Sequence, residues 1–332
     1  MARRAVVLMN LGGPDSPEAV RPFLHNLFSD PAIIGLPMVV RRPLAWLIAA
    51  RRHRVAAEIY AHLGGASPLL PNTEAQARAL EAEIGADYRC FIAMRYWHPM
   101  TQAAVAAVKE WQPDEVVLLP LYPQFSTTTT GSSLKAWHDE AQRQGLASPT
   151  QTVTAYPTEA GFIAALAALV DKGLAEAAAQ GKPTRLLMSA HGLPLKVVRK
   201  GDPYPQQIES TAAAVVAALA QPIADWRVCY QSRVGPLAWL GPSVDEELRA
   251  AGREKVAVVI APISFVSEHS ETLVELDRDY RRLAGIFGVP FYWRVPAVGT
   301  EPRFIAGLAR LVRDQPSRAN AGISASLAAP AP

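Results

Sequence analysis

The sequence predicts an α/β protein made of two similar doubly wound domains, with parallel sheets and a shared cleft. Three observations carry that prediction. Short aliphatic runs alternate with longer, Ala-rich amphipathic stretches along the chain, the pattern of strand–helix–strand units. The chain has 332 residues, half of them hydrophobic, which is more than one ordinary core accommodates. The two halves also echo each other: VVLMNLGGP (6–14) matches LLMSAHGLP (186–194), CFIAMRYWHP (90–99) matches VCYQSRVGP (228–236), and VVLLPLYPQFS (116–126) matches VVIAPISFVSE (258–268). In each pair an apolar strand runs into a turn marked by Gly, Pro or polar residues.

Strands are expected at residues 5–10, 88–95, 115–121 and 150–155, and again at 185–190, 227–231, 255–263 and 290–295. Aliphatic and β-branched residues dominate each run. The stretches 73–84, 101–111, 159–179 and 208–219 have helical periodicity and supply the covering layers. A boundary near Pro157 gives an N-terminal domain over 1–157 and a second over 158–313, whose last helical pattern, 301–313, is able to cross back onto the first. Residues 314–332 are rich in Ala, Ser and Pro without periodicity and read as a disordered tail.

Charge excludes some functions. With 33 basic and 30 acidic residues the net charge is +3, too even for a nucleic-acid binder, and no basic run is long enough to track a phosphate backbone. The opening MARRAVVLM mimics a signal peptide, but its apolar run is short and leads into LGGP, so it reads as a first strand. Residues 32–50 are apolar but are interrupted by Pro37, Arg41, Arg42 and Pro43, so they do not span a membrane. They form either a pair of short packed helices or an apolar lip around a pocket or against a membrane. The two cysteines, Cys90 and Cys229, fall in separate strands and read as buried free thiols. Two cysteines cannot supply four thiolates to an iron–sulfur cluster, and the cytoplasm is the natural compartment.

The most informative stretch is PISFVSEHSETLVELD (262–277), a strand that turns into a helix. Glu268, Glu271, Glu275 and Asp279 follow at spacings of three, four and four, which at about 100° per residue puts them on one helix face. Leu273, Leu276 and Tyr280 fall opposite, and Ser267 is placed to cap the start. The stripe fits an ordinary solvated face. It also fits a site, because ligands bind at the carboxyl edge of a parallel sheet. His191 closes the strand LLMSAH, and sheet topology brings it near the start of the Glu271 helix. Its imidazole titrates near neutral pH and is able to take a proton or bind a divalent metal. His269 adjoins Glu268, but adjacent helical residues face different ways, so it is secondary. HExxH, GxGxxG, a Walker-type loop and GxSxG are all absent. FSTTTTGSS (125–133) suits either an anion or a multiply capped helix start, and GGASP (64–68) with Arg51, Arg52 and Arg54 is a second anion candidate. With Tyr96, Trp97, Tyr122 and Trp239 at strand ends, these rims suit a flat, apolar ligand that carries carboxylates.

Seven motifs resemble one family, in order and across both halves: NLGGP (10–14), GGASP, MRYWHP (94–99), YPQFSTTTTGSS (122–133), SAHGLP (189–194) with GDPY (201–204), YQSRVGPLAWLGP (230–242) and the 262–277 stretch. The family is ferrochelatase, which inserts ferrous iron into a porphyrin to make haem. The resemblance is to the protoporphyrin-using type, because Leu11 stands where the coproporphyrin-using type usually has tyrosine. It implies two flavodoxin-like (Rossmann-type) domains of the class II chelatase fold with the porphyrin between them. It implies that His191 and Glu271 face the metal and the pyrrole nitrogens. Glu275 and Asp279 then form an acidic path, Arg52, Tyr60 and Ser67 meet the porphyrin edge and propionates, and Leu11 and Trp239 wall the pocket. Tyr122 joins the porphyrin-binding candidates. Protoporphyrin IX and Fe²⁺ are expected as substrates, with no tightly bound cofactor and no iron–sulfur cluster. The expected location is the cytoplasm, with loose membrane contact left open. Two rivals stand beside this reading. One is a cobalt or nickel chelatase of another tetrapyrrole, in which histidine pairs are expected. The other is a non-catalytic porphyrin carrier, which has no need of an acidic path.

Overall fold

A computed structural model describes residues 3–316 apart from 234 and 236. Within the expected tail, residues 317–332 lie outside the described residues. Eight strands are described: β1 (Arg4–Asn10), β2 (Tyr88–Met94), β3 (Glu115–Pro120), β4 (Thr150–Thr152), β5 (Thr184–His191), β6 (Trp226–Gln231), β7 (Ala257–Pro262) and β8 (Tyr292–Arg294). They form two four-stranded sheets, ordered β2-β1-β3-β4 and β6-β5-β7-β8. Every pairing is parallel. This is the doubly wound arrangement expected, and each sheet reverses direction beside its first strand, between β1 and β3 and between β5 and β7. The edge strands β4 and β8 are shorter than their sequence patterns suggest.

The echo in sequence is an echo in register. Val6 pairs with Val117 and Met9 with Pro120; Leu186 pairs with Val259 and Ser189 with Pro262. Leu11 and His191 therefore occupy corresponding places at the carboxyl edges of their sheets.

The covering helices are α1 (Val20–Phe28), α2 (Met38–Ala61), α3 (Leu69–Ile84), α4 (Thr101–Trp111), α5 (Thr130–Gln144), α6 (Ala160–Ala178), α7 (Leu195–Val198), α8 (Tyr204–Ala217), α9 (Val244–Glu254), α10 (Tyr280–Phe287) and α11 (Pro302–Arg313). A π-helix, Glu271–Asp279, runs directly into α10. Local chemistry sets several starts. Ser243 and Glu246 make a reciprocal capping box on α9, and the Glu159 carboxylate accepts from Phe162 N (2.8 Å) at the start of α6.

One continuous buried cluster joins the halves, with Val6, Leu8 and Leu119 on one side and Leu186, Met188 and Val259 on the other. Phe162 and Leu166 of α6 and Phe304 and Leu308 of α11 fill the space between. α11 packs on both α3 and α6, and Arg310 pairs with Glu159 at 2.7 Å. Two buried glutamines brace the junction. Gln76 donates to the carbonyls of Val266 and Gly299 (2.9 Å each) and accepts from Ser267 Oγ (2.9 Å). Gln124 donates to Thr211 Oγ1 (2.9 Å) and to the Ile263 carbonyl (3.0 Å).

Residues 38–50 are not part of a pair of short helices. They begin the single long helix α2, which continues through Pro43. A proline there leaves the Val39 carbonyl without its helical partner, and Val39 is 79% exposed, so water is at hand to satisfy it. Ala45 and Ala49 are buried on the inner side, while Met38, Val40, Trp46, Leu47 and Val55 are exposed. The helix thus carries large apolar side chains on its exposed side.

Candidate active site

The second sheet places its chemistry at its own switch point. His191 is the last residue of β5, and the segment leaving β7 carries Ser264, Phe265, His269 and Glu271. The backbone of His191 is held on both sides: its N–H donates to Ser264 Oγ (3.2 Å), and its carbonyl accepts from Tyr204 OH (3.1 Å). Nδ1 lies 2.6 Å from the Gly192 carbonyl, which only accepts, so Nδ1 carries a proton and Nε2 turns to the cleft. There Nε2 sits 3.6 Å from Glu271 Oε1.

The other oxygen of Glu271 is 3.6 Å from His269 Nε2. The Nδ1 of His269 is anchored on the Ser267 carbonyl (3.1 Å). Phe265 lies between the two imidazoles, with ring centroids 6.5 Å from His191 and 4.5 Å from His269. Glu271 is therefore a carboxylate flanked by two histidines. Burial disfavours the His191 imidazolium, but the charge and hydrogen bonding of Glu271 outweigh that and push it up to about 9. Burial likewise opposes ionisation of Glu271, and the two histidines overcome it, holding the carboxyl well below the usual range.

The π-helix changes the expected stripe. Its bonds run i→i+5, a wider winding that recurs frequently at functional sites. Glu268 lies before the helix and off the stripe: its carboxylate accepts from Arg294 and from Ala297 N (3.0 Å). Ser267 is not the cap; it is buried and donates to Gln76. The buried positions are Thr272, Val274 and Leu276, with Leu273 half-buried, because the faces of a π-turn do not follow a 3.6-residue period. His269 was set aside on the same mistaken geometry. It precedes the helix, so the rule that neighbours diverge on a helix does not apply.

Glu271, Glu275 and Asp279 remain on the helix. Gln231 Nε2 donates both to the Glu271 carbonyl (3.0 Å) and to Glu275 Oε2 (3.1 Å). Burial and the neighbouring Glu271 charge raise Glu275 above its ordinary value, against the hydrogen bonds of Ser232. Asp279 is half-exposed, 4.0 Å from Arg278.

The first half contributes a facing wall. Tyr60, near the end of α2, is buried, and its hydroxyl lies close enough to Ser270 and Glu271 to feel both. Burial first, then the Glu271 charge, raise it to about 12 against the Ser270 hydrogen bond. Leu11 packs on the cluster that holds Tyr60, Tyr96 and Trp97. A Cβ on Gly13 would meet Ser67 Oγ at 2.4 Å and Tyr60 OH at 4.0 Å, so the glycine lets NLGGP, α2 and GGASP converge. Trp239 stands beside the catalytic-side strand end: a Cβ on Gly192 would lie 3.3 Å from its Cε3. Arg52 is exposed on α2, two turns and about 12 Å along the helix from Tyr60. Tyr122 sits beside Ser133 and Arg95 at the end of β3, and no contact links it to the His191–Glu271 pair.

The hydroxyl-rich loop already has its anion. Ser126 Oγ, Thr127 N and Thr127 Oγ1 donate to Asp202 Oδ2 at 3.0, 2.8 and 2.7 Å, while Tyr204 N donates to Oδ1 (3.1 Å). GDPY thus clasps the first half and, through Tyr204, supports the backbone of His191. Sequence reasoning missed His269, Phe265, Gln231, Ser232 and Tyr204 as site residues. Each lies within a quoted motif, and only the three-dimensional convergence separates it from its neighbours.

Comparisons with known proteins agree with this architecture. The ferrochelatase family profile matches residues 3–316. A ferrochelatase of Caulobacter vibrioides is 57% identical over 329 residues, covering 97% of this chain and 93% of the relative. One from Phenylobacterium zucineum is 55% identical over 312 residues, covering 92% and 89%. Among solved structures, SirB from Bacillus subtilis with Fe³⁺ superposes with a TM-score of 0.54 at 10% identity, covering 96% of this chain and 98% of that one, which shows the shared class II chelatase fold. By profile, identity and coverage, the chain belongs to the ferrochelatase family.

Proposed function

We propose that the protein inserts ferrous iron into protoporphyrin IX to form protohaem. The observation that carries this reading is Glu271, held between His191 and His269 opposite Tyr60 of the other half, in a ferrochelatase-family chain. The flat ring fits between the Leu11–Tyr60–Trp97 wall and the His191–Trp239 wall, with Arg52 and Ser67 at its edge for the propionates.

A planar porphyrin keeps its nitrogen lone pairs in the ring plane and holds two N–H protons. Bending the ring tilts the lone pairs toward one face, at the expense of binding energy from the rest of the macrocycle. With His191 raised to about 9 and Glu271 ionised, the resting pair is imidazolium and carboxylate. An imidazolium accepts no proton. A dication arriving at Glu271 cancels the charge that stabilises the imidazolium, so His191 discharges and becomes the base for a pyrrole proton. Glu275 and Asp279 form an acidic path that leads protons out of the cleft or metal into it.

The histidine pair around Glu271 removes one sequence argument against a cobalt or nickel chelatase, and identity to ferrochelatases now carries the choice of iron. With two cysteines on separate sheets, no iron–sulfur cluster and no tightly bound cofactor is part of this reading. No helix among the described residues is long and apolar enough to cross a membrane. The exposed apolar side chains of α2, interspersed with exposed Arg42, Arg51, Arg52 and Arg54, suit peripheral contact with an anionic bilayer from the cytoplasm.

The test is anaerobic incubation with Fe²⁺ while porphyrin fluorescence is followed. Faster insertion into protoporphyrin IX than into coproporphyrin III, abolished in His191→Ala, supports the reading. Preference for coproporphyrin III overturns the substrate, and an unchanged His191→Ala rate overturns the role of His191.

A further inference from the structure

We propose that Ser232 is a positioning residue for iron insertion, acting through Glu275; this rests on the reading of Glu275 as part of the acidic path. Ser232 follows the last residue of β6, and its φ is +58°, in the left-handed region that disfavours side chains. Among the described residues two other non-glycine residues have positive φ, Gln112 and Lys255, and both cap helix C-termini, where that conformation is routine. Ser232 caps no helix. Strain of this kind persists only where the surroundings enforce it, and it gathers at functional sites.

The bend is coupled to one contact. Ser232 N donates to Glu275 Oε1 (2.8 Å) and Ser232 Oγ to Oε2 (2.5 Å), so one residue grips both oxygens. Gln231 Nε2 adds a bond to Oε2 (3.1 Å), and Tyr280 OH one to Oε1 (3.4 Å). Gln231 is fully buried and is itself fixed by Ser189 Oγ, which donates to its Oε1 (2.8 Å). Glu275 is therefore a carboxylate held by four donors around its two oxygens. A group that hands a proton or a cation along a helix face works only if it stays at a set distance from the group before it. The strained serine keeps Glu275 in place from outside the helix, from the sheet that carries His191.

Glycine tests the idea, because it adopts φ +58° without strain and removes the hydroxymethyl side chain while keeping the backbone N–H bond to Glu275. In the full-length protein Ser232→Gly is expected to keep or raise the melting temperature, leave porphyrin KM within about twofold and lower kcat about tenfold. Glu275→Gln, measured alongside, is expected to lower kcat at least as much. Ser232→Gly with kcat within about twofold of wild type, while Glu275→Gln is impaired, overturns the positioning role and leaves the path reading standing. Loss of kcat in step with a lower melting temperature also overturns it, since that is what a merely structural serine gives. A Glu275→Gln rate near wild type overturns the path and the inference together.

Discussion

At the end of β1 the chain continues as Leu11-Gly12-Gly13-Pro14. At the corresponding end of β5 it continues as His191-Gly192-Leu193-Pro194. The strand order, register and turn chemistry agree, yet the two edges do different work. The first presents leucine, and its neighbours Tyr60, Tyr96 and Trp97 make an apolar wall. The second presents imidazole, and its neighbour after β7 is a carboxylate between two histidines. A doubly wound sheet specifies where a ligand sits, and single residues at that edge decide what happens to it. Under the proposed function, one edge grips the substrate and the other reacts with it.

Making the edges alike breaks the difference most severely. His191→Leu gives the second edge the residue of the first. Iron insertion is expected to fall by roughly 10²–10⁴, the range of a lost general base. Porphyrin binding, read by tryptophan quenching, is expected to stay within a few-fold. The reverse change, Leu11→His, is expected to weaken porphyrin binding without adding activity; a gain in rate would show that the edges are interchangeable.

Glu271→Gln tests the charge on the reacting edge. Without the carboxylate, the His191 ring is expected to titrate well below about 9, measured by NMR of the imidazole protons. The sign follows from linkage. A raised histidine stabilises the fold fully below its ordinary 6.5, and that stabilisation is lost as pH rises through about 9. A depressed glutamate stabilises above its ordinary 4.5 and loses this as pH falls. The melting-temperature gap between wild type and Glu271→Gln is thus expected to be widest from about pH 5 to 7 and to close above about pH 9. A gap independent of pH would mean that the pair is not ionised.

The smallest expected effect lies between the edges. Gln124→Ala removes a buried donor shared by Thr211 and Ile263. It is expected to cost about 1–3 kcal/mol in chemical denaturation. The iron insertion rate at low temperature should hold if the braces act on stability alone.

Much of this was legible beforehand. The eight strands, their pairing into two like sheets and the meeting of His191 with Glu271 follow from periodicity, local echo and the switch-point rule. What escaped were departures from those rules. The helix starts only at Glu271, so Ser267, Glu268 and His269 were wrongly placed on or against it, and its π winding departs from 3.6 residues per turn, so Leu273 was given the wrong face. Pro43 was read as one of the interruptions of the apolar run 32–50, and the structure carries a single helix through it. The hydroxyl loop was read as either a site for an outside anion or a multiply capped helix start, and its partner is Asp202, 75 positions further along the chain from Thr127. No local pattern reveals a partner so distant. Arg52 was placed at the porphyrin as an anion candidate and by the family motif, and Tyr122 as a strand-end aromatic; the geometry ties neither to the reacting pair.

α11 has a consequence for how the protein is made. Its Arg313 reaches the backbone of Glu83 on α3, 230 positions earlier. Until α11 has been synthesised, α3 and α6 both lack the helix that covers them, and the amino-terminal half waits with apolar surface uncovered. Contacts this distant in sequence slow folding and lengthen exposure to aggregation. A nascent chain stopped before residue 302 would therefore be a ward of chaperones rather than a stable half-enzyme, and the two sheets would reach their final form together, after the last helix arrives.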